Sequence, residues 1–145
     1  MLSEYSLNKK SNFGLIEVIC GSMFSGKTEE LIRRIKRAKL SNFKTIVFKP
    51  KTDYRIHGNY ISTHNDNKYE AVIVSNENEI LSKSTNYQVI GIDEAQFFSD
   101  SLVEICNKLA NKGKRVIVTG LDMDFRGKPF GPMPNLMAAA EFVCK

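Results

Sequence analysis

Residues Gly21, Ser22, Met23, Phe24, Ser25, Gly26, Lys27 and Thr28 fit the pattern G-x-x-x-x-G-K-[ST]. They lie between a β-branched run, Gly14 to Cys20, and an amphipathic helical pattern that begins at Lys27. This arrangement admits few folds. The glycines let the backbone curl so that successive N–H groups point inward, and the helix N-terminus adds partial positive charge. Such a loop cradles the phosphates of a nucleoside triphosphate, with the Lys27 ammonium on the outer phosphates and the Thr28 hydroxyl on a magnesium ion. ATP is the expected nucleotide.

The rest of the chain alternates strands and helices. Leu31, Ile32, Ile35 and Ala38 form one stripe of the helix after the loop, and Arg33, Arg34, Lys36, Arg37 and Lys39 fill its other side. Lys44 to Lys49 reads as a strand closed by Pro50, followed by an irregular polar region through His64 with turn residues at Gly58 and Asn59. A short strand is expected at 71–74 and a short helix at 76–83. Gln88 to Asp93 is almost wholly apolar up to its final acid, as a strand buried on both faces would be. Ser99, beside Asp100, can cap a helix through Asn111, and Gly113 ends it. Lys114 to Thr119 is another buried strand, before a Gly/Pro-rich loop and a final helix from Asn135. The expected fold is α/β: a P-loop, RecA-like parallel sheet with helices on both faces. Residues 1–12 read as a flexible tail and 13–145 as one nucleotide-binding domain.

Composition narrows the classes further. With 145 residues, 42% of them hydrophobic, one core can form, and no apolar run approaches the roughly 20 residues of a membrane helix. The polar start has no signal-peptide pattern, which points to the cytoplasm. Net charge is +5 and concentrated in the half that holds the phosphate loop, where residues 1–72 carry 13 Lys/Arg against 7 Asp/Glu. That suits a polyanionic ligand. The basic face from Arg33 to Lys39 reads as solvated or subunit-facing rather than nucleic-acid binding. Cys20, Cys106 and Cys144 are widely spaced in apolar contexts without a C-x-x-C pair, and read as buried free thiols.

A phosphate loop needs a second carboxylate for the metal, and Asp93, at the end of a buried strand, supplies one, acting through a bound water. Glu94 follows directly and can accept a proton from an attacking hydroxyl or water. Side chains alternate along a strand, so Glu94 shares a side with Asp93 only if the chain bends there. Arg55, in the polar loop with Asp53, can stabilise charge in phosphoryl transfer. Phe97, Phe98 and Phe125 sit near strand ends where a flat base could stack. These residues leave both ATP hydrolysis and transfer to an acceptor open. The alternative reading is a DNA-dependent P-loop ATPase or helicase fragment.

The sequence closely resembles the cellular-type (type II) thymidine kinases. The matching stretches are the phosphate loop with its Met-Phe-Ser insert, Lys49-Pro50 followed by Asp53 and Arg55, and Ser62-Thr63-His64. They continue with Ile90 to Phe98, which holds Asp-Glu-Ala-Gln-Phe-Phe, then Gly120-Leu121-Asp122, Phe125, Lys128 to Gly131 and Asn135-Leu136. The resemblance implies transfer of the ATP γ-phosphoryl group to the 5′-hydroxyl of thymidine, with deoxyuridine also accepted. It makes Glu94 the general base, Lys27 and Arg55 the cations on the phosphoryl group, and Thr28 with Asp93 the magnesium site. Met23, Phe97, Leu121 and Phe125 match the positions that enclose the thymine. It also implies a homotetramer and feedback inhibition by thymidine triphosphate, with no nucleic acid or membrane partner. The family continues past the position of Lys145 into a zinc-ribbon lid over the base. The expectation is therefore that no zinc ligand falls on these residues, and that thymidine is phosphorylated poorly without that lid.

Overall fold

Strand β1 (Leu15–Gly21) alternates between two apolar layers, with Ile16, Val18 and Cys20 in one and Ile19 in the other. The same division runs through the neighbouring strands, so each face of the sheet carries its own core. The computed structural model describes residues 14–23, 25–51, 60–62 and 68–145. The expected tail at 1–12, Phe24, and the segments holding Asp53, Arg55, Gly58, Asn59, Thr63 and His64 lie outside the described residues.

After β1 come α1 (Lys27–Leu40), β2 (Thr45–Pro50), β3 (Tyr60–Ser62), β4 (Lys68–Glu70), β5 (Val72–Val74) and α2 (Glu77–Lys83). Then follow β6 (Val89–Ile92), a 3-10 turn (Ala95–Phe97), α3 (Ser101–Asn111), β7 (Arg115–Leu121), α4 (Met133–Ala139) and β8 (Phe142–Cys144). Six strands form one sheet in the order β5-β2-β6-β7-β1-β8, and every neighbouring pair is parallel. Helix α1 covers one face with Leu31, Ile32, Ile35 and Ala38, packed on Ile19, Val47, Val89 and Ile117. Fully burying each of its Leu and Ile side chains is worth about 1.5–3 kcal/mol. The other face, built from Ile16, Val18, Ile90, Ile92, Val116 and Val118, is covered by α3 and α4. The α/β parallel sheet with helices on both faces is the expected architecture.

Three details differ from the sequence reading. The polar region before residue 64 contains β3, which pairs antiparallel with β4 from Tyr60↔Glu70 to Ser62↔Lys68. The last helix is only seven residues long, starts at Met133, and gives way to β8, which pairs with β1 from Glu17↔Phe142 to Ile19↔Cys144. Ser99 does not cap α3, whose N-cap is Asp100 without a side-chain cap bond. The hydroxyls of Ser99 and Ser101 instead donate to the carboxylate of Glu77, a buried residue at the start of α2. Those bonds hold Glu77 below its ordinary carboxylate value against the opposing effect of burial, which is the largest single influence on it.

Part of the basic face of α1 is used internally. Arg34 reaches Glu30 and Glu17, each at 2.7 Å, and Arg33 also reaches Glu30 at 2.7 Å. Glu17 is 1% exposed and is held from the sheet side by Arg115, itself 5% exposed, on adjacent strands. Removing one partner from such a buried cluster leaves an uncompensated charge, so the cluster ties α1 to β1 and β7.

Candidate active site

The parallel register brings the carboxyl ends of the strands to one edge. Gly21 pairs with Leu121, Ile92 with Val118, and Phe48 with Ile92. The phosphate loop, Asp93-Glu94, Leu121 and the end of β2 therefore share that edge, where open α/β sheets bind ligands.

Helix α1 begins at Lys27, with Gly26 at its N-cap in the left-handed region at φ 83°. The Lys27 ammonium donates to the Ser22 carbonyl at 2.7 Å and reaches the Ser25 hydroxyl at 3.4 Å, so it folds back over its own loop. Burial lowers its pKa from the ordinary lysine value, against the opposing pull of Glu94, Asp93 and Asp122. Those three acids favour its charged form.

Asp93 extends β6, its N–H donating to the Phe48 carbonyl at 2.9 Å, and its side chain is buried. The Thr119 hydroxyl donates to Asp93 Oδ1, and the Thr28 hydroxyl stands 3.4 Å from both carboxylate oxygens. Burial pushes the Asp93 carboxyl above its ordinary value, partly offset by bonds from Thr119, the Glu94 N–H and Thr28. A buried carboxylate with a hydroxyl at that looser distance can accept a hard cation between them.

Glu94 has φ 56° and ψ 40°, a left-handed conformation rare for a residue with a side chain. This is the bend that alternation would require. Both carboxylates act on Lys27 and on Lys49, which arrives from β2. Lys49 donates to the Tyr60 carbonyl at 2.6 Å and lies 5.4 Å from the Tyr60 ring centre, and burial lowers its pKa against the pull of Asp93 and Glu94. A second lysine therefore stands near the end of β2, beside the strand that leads into the two acids.

The buried side chain of Gln96 lies just beyond. Its amide nitrogen donates to Glu94 Oε2 at 3.1 Å, and its amide oxygen accepts the Leu121 N–H at 3.1 Å. Phe97 is 36% exposed and meets Phe130 edge to face, with centroids 5.7 Å apart at 84°.

A profile of the thymidine kinase family matches residues 14–145. The whole chain aligns at 50% identity with a thymidine kinase of Bacteroides fragilis strain YCH46, covering 73% of that protein. It aligns equally fully at 49% identity with a thymidine kinase of Bacteroides thetaiotaomicron, again over 73% of the relative's length. The chain belongs to the thymidine kinase family.

Of the thymidine kinase positions expected from sequence, the structure gathers Lys27, Thr28, Asp93 and Glu94 closely, with Leu121 joined to Glu94 through Gln96. Gly21, Ser22, Ser25 and Gly26 form the loop beside them. Met23 is 53% exposed, and Phe125 is 97% exposed on a loop where its ring meets Arg126. Both stand open at the surface among the described residues. Phe24 and Arg55 lie outside them. Phe98 is a core residue, packed in the layer under α3. Cys20 and Cys106 are buried thiols as expected, but Cys144 is exposed because it lies on β8, at the sheet edge. Among the described residues, no group of three or more His, Cys, Asp and Glu could hold a metal. No helix among them is long and apolar enough to cross a membrane.

The sequence reading gave no role to Lys49 or Gln96. Lys49 carried a weak signal, as the last polar residue of a strand ending at the site. Gln96 carried none beyond its place after the two acids.

Proposed function

We propose that this chain transfers the γ-phosphoryl group of ATP to the 5′-hydroxyl of thymidine, giving thymidine monophosphate and ADP. The observation that most supports this reading is the left-handed backbone at Glu94, directly after Asp93 at the sheet edge that carries the phosphate loop, in a chain of the thymidine kinase family. Glu94 takes the proton of the 5′-hydroxyl as its oxygen bonds to the γ-phosphorus. The bond from that phosphorus to the bridging oxygen breaks, and the electron pair leaves with ADP. Lys27 exchanges its bonds to Ser22 and Ser25 for phosphate oxygens, and Arg55 adds a second cation on the transferred group. The loop N–H groups hold the remaining phosphates. Leu121 and Phe97, with Met23 and Phe125 moving in from exposed positions, contact the base. The Thr28 hydroxyl and Asp93 fit a magnesium ion, since both are hard oxygen donors and Asp93 is already buried with a hydroxyl 3.4 Å from each of its oxygens. When bound, magnesium neutralises charge on the phosphates.

Fourfold assembly and feedback by thymidine triphosphate are further proposals, supported by family membership alone. The test measures ADP release with magnesium ATP alone, with thymidine, with deoxyguanosine, and with single-stranded DNA. Thymidine and deoxyuridine should stimulate it, and deoxyguanosine should not. Stimulation by DNA but not by thymidine would replace this reading with a DNA-dependent ATPase.

A further inference from the structure

We propose that Gln96 is a positioning residue which joins the general base to the wall of the acceptor pocket through the two ends of one amide. The proposal rests on the thymidine kinase reading above.

The amide's orientation follows from the backbone. The Leu121 N–H can only donate, so the atom 3.1 Å away must be the Gln96 oxygen. The nitrogen is thereby turned towards Glu94, whose carboxylate accepts from it at 3.1 Å. A donor held this firmly by its own oxygen favours one rotamer of the carboxylate that accepts from it. The same amide holds the backbone of Leu121, across the sheet edge, in register with that carboxylate.

Space is cleared for Gln96 at both its side-chain oxygen and its main-chain oxygen. A Cβ on Gly120 would lie 2.9 Å from the Gln96 side-chain oxygen and 2.7 Å from Met133 Sδ. A Cβ on Gly131, at φ 52°, would collide with the main-chain carbonyl oxygen of Gln96. Gln96 itself is 3% exposed, so its amide forms these bonds without competition from bulk water. In-line transfer depends on the base and the nucleoside sharing one frame, and a misplacement of about 1 Å can lower the rate about 100-fold.

Two substitutions separate the two ends. Gln96→Glu keeps an acceptor for the Leu121 N–H but sets a carboxylate against Glu94, whereas Gln96→Leu removes both bonds. With Gln96→Glu, kcat should fall about tenfold or more while KM for thymidine stays within about threefold. With Gln96→Leu, kcat should fall and KM for thymidine should rise as well, with KM for ATP unchanged in both. The deciding measurement repeats each substitution together with Glu94→Gln. If Gln96 acts through Glu94, the further loss in kcat is then less than about twofold. If Gln96→Leu does not fold, Gly120→Ala displaces the amide oxygen by contact and should lower kcat in the same direction. An active wild type with equal fractional losses in the presence and absence of Glu94→Gln, or with kcat unchanged by Gln96→Glu, would overturn the positioning role alone. A wild type with no thymidine-dependent ADP release overturns the functional reading, and this role falls with it.

Discussion

The Thr28 hydroxyl and the Asp93 carboxylate, 65 residues apart in sequence, stand 3.4 Å from one another through both carboxylate oxygens. Asp93→Asn keeps the shape and an acceptor for Thr119 but removes the charge from this pair. The magnesium concentration needed for half-maximal activity should rise about 10- to 100-fold. A magnesium titration that superimposes on wild type would remove Asp93 from the metal site.

Glu94→Gln should lower kcat about 10²- to 10⁴-fold, the usual size for loss of a general base. ATP binding should be nearly intact, because Lys27 and the loop are untouched. Steady-state kinetics beside calorimetry with a non-hydrolysable ATP analogue reads both quantities. More than half of wild-type kcat would exclude Glu94 as the base.

Lys27→Ala should weaken nucleotide binding and turnover together, since the ammonium contacts phosphates in ground and transition states alike. The same calorimetric titration distinguishes it from Glu94→Gln. Wild-type affinity and turnover would mean that the loop does not hold the nucleotide.

The phosphate loop and the central strands were legible because their signals are local. Gly21 to Thr28 is a contiguous pattern, and Val89 to Ile92 is apolar on both faces, which only a covered parallel strand requires. Asp93 followed from its place at the end of that strand. Strands β3, β4 and β8 were not legible, since their pairing partners rather than their own few residues decide their state. The bend at Glu94 was legible only as a condition, because an acidic residue carries no local preference strong enough to announce a left-handed turn. Gln96 was invisible for another reason. Both its partners are set by tertiary packing, one across the sheet edge at Leu121.

The buried cluster of Glu17 and Arg115 carries a stability prediction. Arg115→Ala leaves Glu17 with Arg34 as its remaining partner and should destabilise the fold by about 3–5 kcal/mol, read by urea denaturation. The double substitution Glu17→Leu with Arg115→Met should recover most of that loss. If the single and double variants lose stability equally, the pairing is not what the single substitution disturbs.

Glu30 gives a pH dependence. Its hydrogen bond from Arg33, with help from Arg34, holds its carboxyl at about 2 rather than the ordinary 4.5. Because the folded value is depressed, the stabilisation is complete above pH 4.5 and is lost as pH falls towards about 2. Glu30→Gln should therefore be less stable than wild type near neutral pH, by about 1 kcal/mol or less for so exposed a pair. The difference should vanish near pH 2, as measured by thermal unfolding across that range. A difference independent of pH would assign it to packing instead.

The left-handed backbone at Glu94 also sets evolution's choices at that residue. A side chain there costs about 1–2 kcal/mol that glycine would not, so selection for stability alone would not choose glutamate at this position. A protein selected in the laboratory for heat resistance alone would be free to lose its carboxylate here first. A carboxylate at such a position answers to its chemistry rather than to folding.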